Sequence, residues 1–155
     1  MMTNNYFKEM IRLADSIADQ AHSGQTDKIG RPYITHPRRV AFAVRKLAPE
    51  NMRVEAQIVA LLHDTVEDTG VTLDYLARYF SVSIVDAVDA LTKRKGETLE
   101  QSIARVRANE LARLVKHADI ADNTDPERTA LLDEETRERL AKKYAKSLIL
   151  LSLGE

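Results

Sequence analysis

Residues 58 to 69, IVALLHDTVEDT, put an imidazole and three carboxylates directly behind an apolar run. On a helix, at ~100° per residue, His63, Asp64, Glu67 and Asp68 span about 140° of one face. Three carboxylates on one side repel one another unless a cation holds them. A solvated acidic helix end accounts for Glu67 and Asp68. It accounts less well for His63 and Asp64, which follow Leu61 and Leu62 without a break. A second stretch, LARLVKHADIADN, places Asp119 four residues after Val115, where an apolar stripe should continue. A carboxylate turned toward a core is costly unless it is paired or bound to metal. Lys116 and Asn123 share its face, and a lysine or arginine is the ordinary partner. A third feature is His36, set at the far end of the loop GQTDKIGRPYITHP. A histidine there is ordinarily exposed or a satisfied cap.

Taken singly, each of these has a structural explanation. Taken together, His36, His63, Asp64 and Asp119 supply two imidazoles and two carboxylates, a ligand set that neutralises one divalent ion. Oxygen and imidazole donors without thiolate suit Mn²⁺ or Fe²⁺ as well as Zn²⁺. A six-coordinate ion would keep about two positions for water and a substrate oxygen. It would make water nucleophilic near neutral pH and stabilise charge on a phosphoryl group.

The elements that must position these residues read as helices. Phe7, Met10, Ala14, Ile17, Ala18 and Ala21 fall at helical spacing, with Asn4 and Asn5 as caps. His22 reads as a residue at the end of that helix. After the punctuated loop, a second helix runs from about His36 to Leu47, with Pro37 in its first turn and Pro49 marking its end. A third covers 52 to 65. Thr72 and Ser83 are expected to cap two short helices, Thr98 with Gln101 matches a capping box, and Asn109 and Asp133 cap the last two. No alternating strand pattern persists. The expectation is a single all-α domain, 1–155, of seven to nine helices, with its motifs within 22–125 and a C-terminal helix at 133–152.

Composition narrows the function. The chain has 155 residues, 44% hydrophobic and 30% charged, with a net charge of −1. No global basic field points to nucleic acid or an anionic membrane. Cysteine is absent, which excludes disulfides, thiolate metal sites and cysteine nucleophiles. No apolar run approaches the ~20 residues of a membrane span, and no signal peptide is legible, so a cytoplasmic protein is expected. The apolar LILLSL near the C-terminus suggests a docked helix end or a homodimer contact.

The order His … His-Asp … Asp resembles the HD phosphohydrolase superfamily. More closely, AHSGQTDKIGRPYITHPRRVA, ALLHDTVEDT and VKHADIADN resemble the hydrolase domain of the RelA/SpoT family and its small stand-alone relatives. The resemblance implies a compact HD-domain helical bundle that hydrolyses the 3′-pyrophosphate of (p)ppGpp with Mn²⁺, giving GDP or GTP and pyrophosphate. It implies His36, His63, Asp64 and Asp119 as metal ligands. It implies Glu67 and Asp68 as the pair that orients or activates the attacking water, and Asn123 as a contact near the ribose and reacting phosphate. Lys28 matches a base-contacting lysine, and Lys95 is the nearest match to a phosphate-contacting lysine in the turn TKRKG. Asp27 departs from the family, which carries arginine there. A guanidinium stacks on a purine and a carboxylate does not, so Asp27 would have to meet guanine N1 and N2 instead. That departure keeps open an HD phosphohydrolase acting on another nucleotide or phosphorylated metabolite; a non-catalytic nucleotide-binding module is a separate alternative, against which the intact ligand set argues.

Overall fold

The computed structural model describes residues 3–154. The described residues form helices and no strand. The order is α1 (Asn4–Ala21), α2 (Thr35–Leu47), a 3-10 turn at Glu50–Met52, α3 (Arg53–Leu62), α4 (Thr65–Asp68) and α5 (Leu73–Ala77). It continues with α6 (Val82–Leu91), α7 (Leu99–Arg107), α8 (Glu110–Asn123), α9 (Pro126–Thr129) and α10 (Glu134–Leu151). Two of these, α4 and α9, are single turns of four residues, so the longer helices fall within the seven to nine expected.

Side-chain caps begin most of them. Thr72, Asn109 and Asp133 each accept the backbone N–H three residues on, and Thr98 and Gln101 form the reciprocal capping box. Two cap assignments from the sequence are corrected. Thr3, not Asn4 or Asn5, caps α1, and Ser81, not Ser83, caps α6. Both true caps stand in extended backbone just ahead of the first helical residue, the conformation an N-cap needs. Ser83 lies inside α6 and donates instead to Glu55.

The helix α3, apolar without a break from Ile58 to Leu62, is the central element, packed against α1, α2, α6 and α8. Its Ile58, Val59 and Leu62 are fully buried, with Val40 and Val44 of α2, Val88 of α6 and Val115 of α8 in the same core. The expected helix over 52–65 stops early, at Leu62. The His63 ring donates from Nδ1 to the Ala60 carbonyl at 2.5 Å, and Thr65 Oγ1 donates to the Leu62 carbonyl at 2.8 Å. Side chains thus take carbonyls the helical ladder would have used, and the chain turns before α4 begins. His63 and Asp64 therefore sit at a corner, not on one continuous helical face with Glu67 and Asp68.

The loop between α1 and α2 is more ordered than its glycines and prolines suggest. Thr26 bridges Pro32, Asp27 N–H donates to the Arg31 carbonyl at 2.8 Å, and Tyr33 N–H to the Gln25 carbonyl at 2.9 Å. Gly30, at φ +84°, makes the return turn that only glycine adopts without strain. His22 ends α1 as expected, but its ring is buried and bonded to Gln25 Oε1 at 2.8 Å. At the far end of the chain Leu151 is buried, whereas Leu148, Ile149 and Leu153 are exposed. Among the described residues no helix is long and apolar enough to cross a membrane.

Candidate active site

Three helices bring the expected ligands together. His36 comes from the first turn of α2, His63 from the corner after α3 and Asp119 from α8. All three are buried, and one ligand atom from each lies within 4.8 Å of the others. His36 Nε2 is 2.9 Å from Asp119 Oδ1. His63 Nε2 is 3.1 Å from Asp64 Oδ2 and 3.5 Å from Asp119 Oδ1. Asp64 Oδ2 also lies 3.8 Å from His36 Nε2. Donor atoms about 3 Å apart suit an octahedral set around a small divalent ion. The buried His63 Nε2 makes no well-directed hydrogen bond, although two carboxylates face it. A cation between them would use that unspent lone pair, so the residues present fit a divalent metal.

Each expected ligand is aimed by a partner. His63 is fixed by its bond to the Ala60 carbonyl, which leaves Nε2 facing the cluster. His36 Nδ1 donates to Asp122 Oδ2 at 2.6 Å, which orients Nε2 in the same way. Asp122 is in turn clasped by Arg39 and Arg128. Tyr33 O–H donates to Asp64 Oδ2 at 2.5 Å. Lys116 Nζ donates to Asp119 Oδ2 at 3.2 Å, and Asn123 Nδ2 to Asp119 Oδ1 at 3.1 Å.

The electrostatics follow. Burial alone would lower both histidines, but hydrogen bonds to Asp119 and Asp122 raise His36, and the charges of Asp64 and Asp119 raise His63 well above its ordinary value. Burial would raise Asp64 and Asp119. Instead His63 draws Asp64 down, and Lys116 and the two histidines draw Asp119 well down. Without a metal, protons on the imidazoles do the neutralising that a divalent ion would do. Asp68 is pushed up to about 6 by the burial of its carboxyl and by the neighbouring Asp64 and Glu67.

The remaining expected residues ring this cluster. Glu67 is exposed, and its Oε1 accepts the Lys93 N–H at 2.6 Å, which ties α4 to the 92–97 turn. The Asp68 carbonyl accepts from Gln25 Nε2 at 3.1 Å, tying the same turn of helix to the first loop. Beside the cluster opens a pocket of ≈ 220 Å³ lined by Lys28, Tyr33, His36, Asn123, Arg128 and Tyr144, among others. Asp27 lines it too, but its carboxylate is turned into the loop. Oδ1 accepts the Ile29 and Arg31 N–H groups, and Oδ2 faces Arg128 at 3.5 Å. Lys95 is exposed in its turn and makes no hydrogen bond among the described residues. Lys143, on α10, is lowered by burial and by the charges of Lys116, Lys93 and Lys28, so four lysines share one field at this end of the molecule. Tyr33, Arg39, Asp122, Arg128 and Lys143 had drawn no functional assignment from the sequence. Tyr33 and Arg39 lie within the first motif and Asp122 within the last, whereas Arg128 and Lys143 lie outside all three.

The family model for the HD domain matches residues 14–146, and the chain belongs to that family. A probable GTP pyrophosphokinase of Mycobacterium leprae is 35% identical over 85% of this chain and 18% of its own length. A guanosine-3′,5′-bis(diphosphate) 3′-pyrophosphohydrolase of Aquifex aeolicus is 33% identical over 86% of this chain and 20% of its own length. One from Vibrio cholerae is 41% identical over 55% of this chain and 12% of its own. The chain thus spans a fifth or less of the length of these curated relatives. Among solved structures, one described as a metazoan ortholog of SpoT that hydrolyzes ppGpp superposes with a TM-score of 0.74. It covers 99% of this chain and 89% of its own at 22% identity, a likeness of fold.

Proposed function

We propose that this HD-domain chain hydrolyses the 3′-pyrophosphate of (p)ppGpp, releasing GDP or GTP and pyrophosphate. The observation that carries the reading is the buried His36, His63 and Asp119 cluster, with Asp64 against it, opening beside a pocket that presents Lys28 and Asn123. A divalent ion held by these four residues, Mn²⁺ first among candidates, would polarise a phosphoryl oxygen and acidify water at the site. Glu67, pinned by the Lys93 N–H, accepts the proton of the attacking water, and Asp68 orients that water with it. The water oxygen joins the phosphorus next to the ribose, the bond from that phosphorus to O3′ breaks, and a proton ends on O3′. Asn123 spends its amide N–H on Asp119, which leaves its carbonyl oxygen for the ribose side of the pocket. Lys28 meets the base from the loop that lines the pocket, and Lys95 meets the phosphates. The names of the relatives include both a pyrophosphokinase and pyrophosphohydrolases. The water-handling acids beside the ligand set support hydrolysis for this segment.

The direct test is pyrophosphate release from ppGpp by chelator-stripped protein, with and without Mn²⁺, beside His63→Ala. Release that needs Mn²⁺ and is lost in the variant is expected. Glu67→Gln should lower kcat by about 10²- to 10⁴-fold while bound Mn²⁺ stays unchanged. No release from protein that holds Mn²⁺ tightly would reject ppGpp as substrate. The inward turn of Asp27 makes the adenosine 3′-pyrophosphate the first alternative to try.

A further inference from the structure

The pocket beside the ligand cluster contains a cation that the reaction above does not use. Arg128 stands on the single turn α9, and its Nη1 donates to Asp122 Oδ2 at 2.8 Å and to the Asp122 carbonyl at 2.9 Å. Asp122 is already held without it. Arg39 clasps both oxygens of that carboxylate, Nε to Oδ1 at 2.8 Å and Nη2 to Oδ2 at 3.2 Å. The rest of the Arg128 guanidinium is weakly engaged. Nη2 is 3.5 Å from Asp27 Oδ2, and Nε is buried and makes no hydrogen bond within the protein. A buried donor in that state points to a partner still to come.

The surroundings say what that partner is. Ile29, Leu132, Leu140 and Tyr144 line the pocket with Arg128. Apolar walls around a flat, delocalised cation form a receptor for a flat, electron-rich ring. Asp27 lies directly against the guanidinium, at 3.5 Å, although it is 101 residues away in the chain. Its Oδ1 is spent on the loop's own N–H groups, so Oδ2 alone remains to steer Arg128.

We infer that Arg128 reads the nucleobase, its guanidinium edge donating to the O6 and N7 acceptors of guanine, with Asp27 as the residue that positions it from the loop beside it. The inference rests on the reading of this pocket as a nucleotide site. Adenine would turn its N6 amino group, itself a donor, toward the same edge. The loop position that lacks a guanidinium is thus supplied with one from α9.

Calorimetric binding of GDP and ADP to Mn²⁺-loaded protein tests this without any turnover. The wild type should bind GDP at least about tenfold more tightly than ADP. Arg128→Ala should lose most of that margin, and so should Arg128→Lys, which keeps the charge and the fold but not the planar fork. Mn²⁺ affinity should stay unchanged in both. Asp27→Asn should cost less than Arg128→Ala and add nothing to it in the double variant. A wild type without the preference overturns the inference, as does an Arg128→Lys that keeps it. So does a loss that tracks weaker Mn²⁺ binding, which would make Arg128 only a brace for Asp122. A protein that binds GDP through Arg128 yet releases no pyrophosphate from ppGpp keeps this inference and ends the hydrolase reading.

Discussion

Asp122 shows what a single residue contributes when it touches neither substrate nor ion. It fixes the ring of His36 from behind, and its carboxylate in turn is fixed by two arginines. Asp122→Asn keeps the shape and one acceptor but weakens the hold on the Nδ1 proton. Mn²⁺ affinity is expected to fall about 10- to 100-fold, with activity restored at saturating Mn²⁺. Titrating Mn²⁺ into the variant and following both binding and turnover would check this; a loss of turnover at saturating metal would place Asp122 elsewhere in the chemistry. Tyr33→Phe should act in the same sense and more weakly, because Asp64 keeps its contact with His63. The contrast between these residues and their neighbours explains what was legible in the sequence. His36, His63, Asp64 and Asp119 stand out because an ionisable group interrupts an apolar period or follows a conspicuous loop. Asp122 sits among polar residues near a helix end, where a carboxylate needs no explanation. Its role exists only once α2 lies against α8 and brings His36, 86 residues away, onto its oxygen.

Elements decide where Glu67 and Asp68 point. The turn at 92–97 carries the Lys93 N–H that holds Glu67, and the turn is itself stapled to α7. Arg105 donates to both oxygens of Glu97 and to the Thr92 carbonyl, while Glu97 accepts the Arg94 N–H. The Arg105 hydrogen bond, with the Arg94 N–H behind it, holds the Glu97 carboxyl down to about 2. A carboxyl lowered by folding stabilises the fold fully above its ordinary value of 4.5, and that stability drains as pH falls toward 2. Glu97→Gln should therefore flatten the acid limb of the stability profile in that window and leave its neutral part shifted by a constant. Thermal melts between pH 2 and 5 would show it, and an unchanged acid limb would mean the staple does not hold in solution. The same variant should lower kcat modestly at neutral pH, because a looser turn holds Glu67 less well. The capping box at Thr98 and Gln101 was readable, since it is a local pattern. The staple was not, because nothing in TKRKGE tells which of its charges meets an arginine on the next helix. The early end of α3 was hidden for a related reason: propensity favours continuing the helix, and side-chain bonds from His63 and Thr65 override it.

For the whole molecule, the all-α class follows from periodicity alone, and the burial of Ile58, Val59, Leu62 and Val115 follows from the same pattern. The placement of α10 does not. Its Leu140 and Tyr144 close one side of the pocket, yet the helical spacing of Leu140, Tyr144, Leu148 and Leu151 says only that one face is apolar, not what it packs on. Leu62 has no exposed surface and sits where α3 meets its neighbours, so Leu62→Ala should cost about 2–5 kcal/mol by chemical denaturation. The ligand cluster has a different bearing on lifetime. His36 and Asp119 are 83 residues apart in the chain, and they meet only when α2, α3 and α8 are already packed. A half-formed chain offers the ion no grip, so Mn²⁺ should leave the refolding rate nearly untouched and slow unfolding instead. Stopped-flow folding in both directions, with and without Mn²⁺, would separate the two arms. On that outcome a bound metal would be a latch on the way out, setting how long each folded copy survives rather than how fast it is made.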